Sequence, residues 1–234
     1  MVDRRVAGEP LEHVLGWAEF CGLRIAVDPD VFVPRRRTEF LVRQATALTR
    51  PPAVVVDLCC GSGAVGAALV AALGSAPGRV ELHAVDLDPA ALRCARRNVA
   101  AAGGQVYEGD LFHPLPATLR GRVDVLVANT PYVPTDAVGL MPPEARLHEP
   151  RVALDGGADG LDVVRRVIAE APEWLAQGGH LLIETSEDQA SQAVETLAGN
   201  GLIPRVTSSA ELSATVVIGV RPGAELRRAP PSPA

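Results

Sequence analysis

Apolar and polar positions alternate along this chain in blocks whose period changes several times. The first 17 residues are mixed, with a helical hint around Leu11 to Leu15. Phe20, Leu23, Ile25 and Val27 then lead into Asp28-Pro29-Asp30, and Val31-Phe32-Val33 follows. Two β-rich runs around an Asp/Pro turn predict a hairpin. Pro34 to Arg37 ends it, and Thr38 is placed to cap a helix reaching Leu48. Val54-Val55-Val56-Asp57 is a β-branched run ending in an acid, followed at once by Gly61-Ser62-Gly63 and an Ala/Val-rich stretch. That is the pattern of a buried strand, a tight turn and a helix start.

The alternation continues beyond the turn. Strands are predicted over Val80 to Val85, Gln105 to Tyr107, Val123 to Ala128 and His180 to Glu184, with two more near Pro204 to Thr207 and Ala214 to Val220. Helices are predicted over Pro89 to Ala102 and from about Gly160 to Leu175, with a proline-rich loop after Tyr132. Ser186 and Gln189 have capping-box spacing, which starts a last helix ending near Gly199. Strand and helix in turn imply an α/β fold with a doubly wound, mostly parallel sheet. Ligands bind such a sheet beyond the carboxyl ends of its strands, where the strand order reverses. Asp57 with the glycines, Asp86, Asp110 and Asn129 all stand at strand ends and should converge there.

The 234 residues suffice for one sizeable core. No apolar run approaches a membrane span and the N-terminus lacks a signal-peptide core, so the expected location is cytoplasmic. Cys21, Cys59, Cys60 and Cys94 show no Cys-x-x-Cys spacing, and His148 has no partner at helical spacing, so no metal is expected. All 22 cationic side chains are Arg, yet the net charge is −6, which disfavours a general grip on nucleic acid. The run Arg35-Arg36-Arg37 taken alone reads as readily as a solvated face.

Gly61 to Gly66 fits G-x-G-x-x-G, and Asp86 lies at the distance of a ribose-binding acid, which favours NAD if taken alone. Asp57 argues otherwise. A carboxylate just before the turn repels a pyrophosphate but suits an ammonium group, and S-adenosylmethionine carries one together with a ribose and a single carboxylate. Asp110 is placed to accept from an adenine amino group, although a loop acid is commonly just solvated. Asn129-Thr130-Pro131-Tyr132 is the second constellation. An Asn oxygen and the Thr130 carbonyl can each accept one N–H of a planar NH2, fixing it for methyl transfer, while Tyr132 packs on the flat group. The plain alternative is an Asn-x-Pro turn.

Together these residues resemble the class I S-adenosylmethionine-dependent methyltransferases of Rossmann-like fold. Within them they are similar to the HemK-type protein-(glutamine N5) methyltransferases, which modify peptide-chain release factors. The resemblance runs from Gly8 to Gly219. It includes Val33-Pro34-Arg35 with Thr38-Glu39, Asp57 to Gly66, Gly109-Asp110, the Asn129 tetrapeptide, His148-Glu149-Pro150, Gly156-Gly157, Asp159-Gly160-Leu161, Glu184 and Gln189. It implies an antiparallel C-terminal strand and cofactor contacts from Asp57, Cys59, Gly61, Ser62 and Gly63. It further implies contacts from Asp86, Leu87, Asp110, Leu111 and Asn129. The catalytic group would be Asn129, Thr130, Pro131 and Tyr132, with Pro34, Arg35, Glu149 and Pro150 bordering the substrate channel.

Two departures stand out. Thr130 replaces the first proline of Asn-Pro-Pro-Tyr, and only about 17 residues precede the hairpin where the family carries a helical recognition domain. The expected organisation is a residual N-terminal segment with the hairpin (1–37), a methyltransferase domain (38–220) and a flexible proline-rich tail (221–234). The expected activity is methylation of a glutamine amide in a protein or peptide, a release factor among them. Methylation of an exocyclic amine in nucleic acid or of a small metabolite is the alternative, and an NAD-binding oxidoreductase is a further one.

Overall fold

The computed structural model describes residues 1–74 and 79–223. Two short helices, α1 (Val2–Val6) and α2 (Leu11–Leu15), lead into a hairpin of β1 (Trp17–Phe20) and β2 (Leu23–Ala26). Then come α3 (Glu39–Leu48), β3 (Ala53–Leu58), α4 (Ala64–Leu73), β4 (Val80–Asp86), α5 (Pro89–Val99), β5 (Gln105–Glu108) and β6 (Val123–Ala128). The chain continues through α6 (Pro143–His148), α7 (Asp162–Trp174), β7 (Leu175–Thr185), α8 (Glu187–Gly199), β8 (Ile203–Ser209) and β9 (Ala214–Val220).

Seven strands form one sheet in the order β5-β4-β3-β6-β7-β9-β8, in which only β9 runs against its neighbours. All six residues of β3 are buried, as a central parallel strand covered on both faces requires. Its side chains part by the two-residue period: Val55 joins a core with α3, α4, α5 and the hairpin, while Val54 and Val56 join one with α7 and α8. The strand order reverses between β3 and β6. Leu58 lies level with Val85 of β4 and with Ala128 of β6, so the chain segments leaving these three strands start side by side.

Several sequence expectations need correction. The hairpin turns at Cys21-Gly22, not at Asp28-Pro29-Asp30, and Phe20 pairs with Leu23. Both turn residues have positive φ, 51° and 75°, the conformation that a two-residue turn between twisted strands demands. Val31 and Val33 are buried and Phe32 is half-buried, but the segment forms no strand. Thr38 does not cap α3 through its side chain, because a 3-10 turn over Arg36–Thr38 runs straight into the helix and Thr38 is already helical. The proline-rich loop contains α6 and two 3-10 turns, Thr135–Leu140 and Arg151–Ala153. β7 starts at Leu175 rather than at His180, with a register shift against β6. The capping box at Ser186 and Gln189 is present. The tail predicted over 221–234 lies outside the described residues from 224 onward.

Candidate active site

The glycine turn owes its shape to two side chains that anchor it. Asp86, at the end of β4, accepts the Gly61 N–H through Oδ2 at 2.8 Å and the Asp88 N–H through Oδ1 at 2.9 Å. Asn98 of α5 donates to the Ser62 carbonyl and clasps both backbone groups of Ala26, tying turn, helix and hairpin together. Gly61 (φ 54°) and Gly63 (φ 76°) take the left-handed conformation. A Cβ on Gly63 would also press on Ala95 of α5 at 3.1 Å, so this glycine sets how closely the turn approaches that helix.

In front of the turn is a cavity of about 230 Å³ bounded by the ends of β3, β4, β5 and β6. It is lined by Cys59, Gly61, Asp86 and Leu87, by Asp110 and Leu111, by Asn129 to Tyr132, called the floor below, and by Arg35 and Pro150. Leu87 is 51% exposed, an apolar face left open beside the Asp86 carboxylate. Burial pushes the Asp86 carboxyl up, against the pull of the two N–H groups.

Not every predicted residue lines this space. Asp57, Ser62, Gly63, Pro34 and Glu149 do not. Asp57 was expected to meet an ammonium group, but it is 2% exposed and points beneath α4, where Oδ2 accepts the Gly66 N–H at 2.9 Å. Burial, only partly offset by that hydrogen bond, pushes its carboxyl up to about 7. It braces the helix start. Glu149 is also buried and acts through a neighbour: it holds Arg35 at 2.5 Å and the Val33 N–H at 3.1 Å. Arg35 thereby leaves the solvated face and stacks over Phe32.

The floor is strapped from behind by residues 154–160. Val133 donates to the Leu154 carbonyl, Gly156 to the Val133 carbonyl and Thr135 to the Gly157 carbonyl, at 2.9 to 3.0 Å. Gln189 Nε2 donates to the Tyr132 and Asp159 carbonyls. Asn129 is partly buried, with Nδ2 donating to the Thr38 hydroxyl at 3.4 Å. Arg37 donates through Nε to Glu184 at 3.1 Å and through Nη2 to the Tyr132 hydroxyl. Arg166 of α7 pairs with Asp110 at the cavity wall.

Arg37, Glu184 and Arg166 are not among the site residues expected from the sequence. Glu184 carried the signal that flagged Asp57 and Asp86, an acid closing a buried strand. Arg166 carried none, since its partner lies 56 residues away. Among the described residues no cluster of His, Cys, Asp or Glu could hold a metal ion, and no helix is long and apolar enough to cross a membrane.

A model of the methyltransferase small domain matches residues 23–145. Release factor glutamine methyltransferase of Geobacter sulfurreducens is 38% identical over 225 residues, which cover 95% of this chain and 77% of that protein. The Streptomyces coelicolor protein of that name is 40% identical over 196 residues, 82% of this chain and 68% of its own. Among solved structures, a methyltransferase from Pyrococcus furiosus covers 94% of this chain and 98% of its own at TM-score 0.62 and 15% identity. Ribosomal protein L11 methylase from Lactobacillus delbrueckii covers 85% of each at 0.59 and 16%. These two share the fold; the family rests on the sequence relatives. The chain belongs to the release factor glutamine methyltransferase family of S-adenosylmethionine-dependent enzymes.

Proposed function

We propose that this chain methylates the side-chain amide nitrogen of a glutamine in a protein, and that the protein is a peptide-chain release factor. The observation that carries the reading is the placement of Asn129-Thr130-Pro131-Tyr132 on the floor of the cavity whose wall holds Gly61 and Asp86. Cofactor end and acceptor end share one space.

The residues suit S-adenosylmethionine. Nothing lies within 4 Å of where a Gly61 Cβ would stand, so a ligand can close on this backbone. Asp86 keeps lone pairs beyond its two N–H partners for a ribose diol, and the exposed Leu87 beside it offers an apolar face to a planar base. When bound, S-adenosylmethionine supplies an electrophilic methyl group on a sulfonium.

The chain's own task is to present the amide. Asn129 Oδ1 and the Thr130 carbonyl accept the two amide N–H groups, and Tyr132 packs on the amide plane. Holding the nitrogen in line raises the chance of attack, and two acceptors stabilise the positive charge that develops on it. The amide nitrogen would take the methyl group as the sulfonium becomes a neutral thioether, and would then release its proton, made acidic by the transfer, to water. No side chain need remove that proton first.

Replacing Asn129 by Ala should lower kcat about 10²- to 10³-fold, the usual effect of deleting one preorganised polar group, with cofactor affinity nearly unchanged. Rates with labelled cofactor and calorimetric binding check the two halves. An equal loss in cofactor affinity would show that Asn129 serves the cofactor instead.

A further inference from the structure

The run Arg35-Arg36-Arg37 divides in the folded chain. Arg35 and Arg37 line the cavity and Arg36 does not. Arg35 is held by Glu149. Arg37 has other partners, and they lead to the acceptor end of the site.

A surface arginine ordinarily moves among many rotamers, and ordering it costs entropy. The Arg37 side chain is 44% exposed, yet its guanidinium is fixed at two points. Nε donates to Glu184 Oε1 at 3.1 Å, and Nη2 donates to the Tyr132 hydroxyl. Arg37 Cζ also stands 5.4 Å from the centre of the Tyr132 ring. Glu184 is 2% exposed, and Arg37 is its one ion-pair partner among the described residues. A buried carboxylate that loses its counter-charge is strongly penalised, so this end of the guanidinium stays in place. The planar fork then has a set direction, which an ammonium on a flexible stem would lack.

Tyr132 is therefore tied at both ends. Its carbonyl accepts from Gln189 Nε2 at 3.0 Å, and its hydroxyl accepts from Arg37. A ring tied only through its backbone would swing about its side-chain bonds. Tied at the tip as well, it keeps one orientation beside Asn129 and Thr130 in the cavity lining. Glu184 also cancels the Arg37 charge, which alone would oppose the positive charge developing on the acceptor nitrogen.

We propose that Arg37 is the positioning residue that locks the Tyr132 ring in the orientation with which it packs on the acceptor amide. This rests on the glutamine-amide reading above. Buried Glu184 supplies the fixed point from which Arg37 reaches the ring.

Two variants break the contact from either side. Tyr132→Phe keeps the ring and removes the hydroxyl that Arg37 grips. Arg37→Lys keeps a positive charge for Glu184, so the buried carboxylate stays paired, but replaces the fork that spans Glu184 and Tyr132 by a single ammonium.

The first readout is the ring itself. The chain has two tyrosines, Tyr107 and Tyr132, so labelling the full chain with 3-fluorotyrosine gives one set of fluorine signals for each, assigned with Tyr107→Phe. Arg37→Lys should shift and narrow the Tyr132 signal, as release of a fixed ring does, and leave Tyr107 unmoved. The second readout is kcat and KM on a purified release factor, with cofactor Kd by calorimetry and Asn129→Ala alongside. Tyr132→Phe and Arg37→Lys should each lower kcat about tenfold, with cofactor Kd within about twofold. The double variant should lose no more than either single one, because both break the same contact. An unmoved Tyr132 signal in Arg37→Lys, losses that multiply in the double variant, or a loss that falls equally on cofactor affinity would overturn the proposal. If both variants keep wild-type kcat while Asn129→Ala is inactive, Arg37 has no positioning role and the site reading stands. An Asn129→Ala enzyme with wild-type activity would overturn the site reading and the proposal with it.

Discussion

Asp57 and Asp86 both close buried parallel strands, yet they do different work. Asp86 stands in the cavity wall and Asp57 beneath a helix start. The sequence marks both as strand-end acids, but which side of the sheet end each faces depends on where the chain turns, and that is not written at either position. Asp57 leaves a measurable trace. Its carboxyl is pushed up to about 7 by burial. Well below pH 4 it is protonated in both folded and unfolded chains. As pH rises toward 7 the unfolded chain gives up the proton first, the folded chain holds more protons, and stability falls. Replacing Asp57 by Asn keeps an acceptor for Gly66 and removes the titration. Thermal melts from pH 4 to 8 should show wild-type Tm falling relative to Asp57→Asn as pH rises. A constant difference would mean that Asp57 titrates alike in both states. The same limit applied to Arg35 to Arg37: the run gave no sign that buried Glu149 and Glu184 hold the first and last of them, because those partners come from 114 and 147 residues away.

At the scale of elements, the strap over residues 154–160 deserves as much weight as the tetrapeptide it holds. A Cβ on Gly156 would stand 2.6 Å from the Pro131 and Gly160 carbonyls, and one on Gly160 2.2 Å from the Tyr132 carbonyl. No real Cβ tolerates such contacts, so the glycines let the strap close on the backbone of Pro131 and Tyr132, which we propose presents the acceptor amide. Gly156→Ala should push Pro131 out of place and lower kcat by about 100-fold, more than it weakens the cofactor binding proposed at Gly61 and Asp86. Parallel rate and binding measurements check this; unchanged kcat would show that the strap does not set the floor. Strands and long helices were legible because burial on one or two faces imposes a period. The hairpin turn was misplaced because Cys21-Gly22 lacks the proline and acids that drew attention to Asp28-Pro29-Asp30. The helix and 3-10 turns between Tyr132 and Leu154 were missed because they are too short to show a period.

For the whole molecule, the register of β3 against β4 and β6 does what no single motif can: it places the glycine turn, Asp86 and Asn129 around one space. The fold class was legible in the alternation of strand and helix, and the crevice followed from it. The Arg166–Asp110 pair at the cavity wall did not, since it joins elements distant in sequence. On the proposed reading S-adenosylmethionine fills this cavity, and a ligand that binds only the folded chain stabilises it. At about 100 times its Kd the ligand should add about 2.7 kcal/mol, several degrees in Tm for a chain of this size. A larger shift with NAD would contradict the cofactor assignment.

The central claim is that the Asn129 floor delivers methyl groups to a glutamine amide. The most direct measurement incubates the full chain with labelled S-adenosylmethionine and a purified release factor, with Asn129→Ala alongside, and locates the label by mass spectrometry. The account predicts one methyl group on a glutamine side-chain nitrogen, absent with Asn129→Ala. Label on another residue type, or equal label with both enzymes, would contradict it.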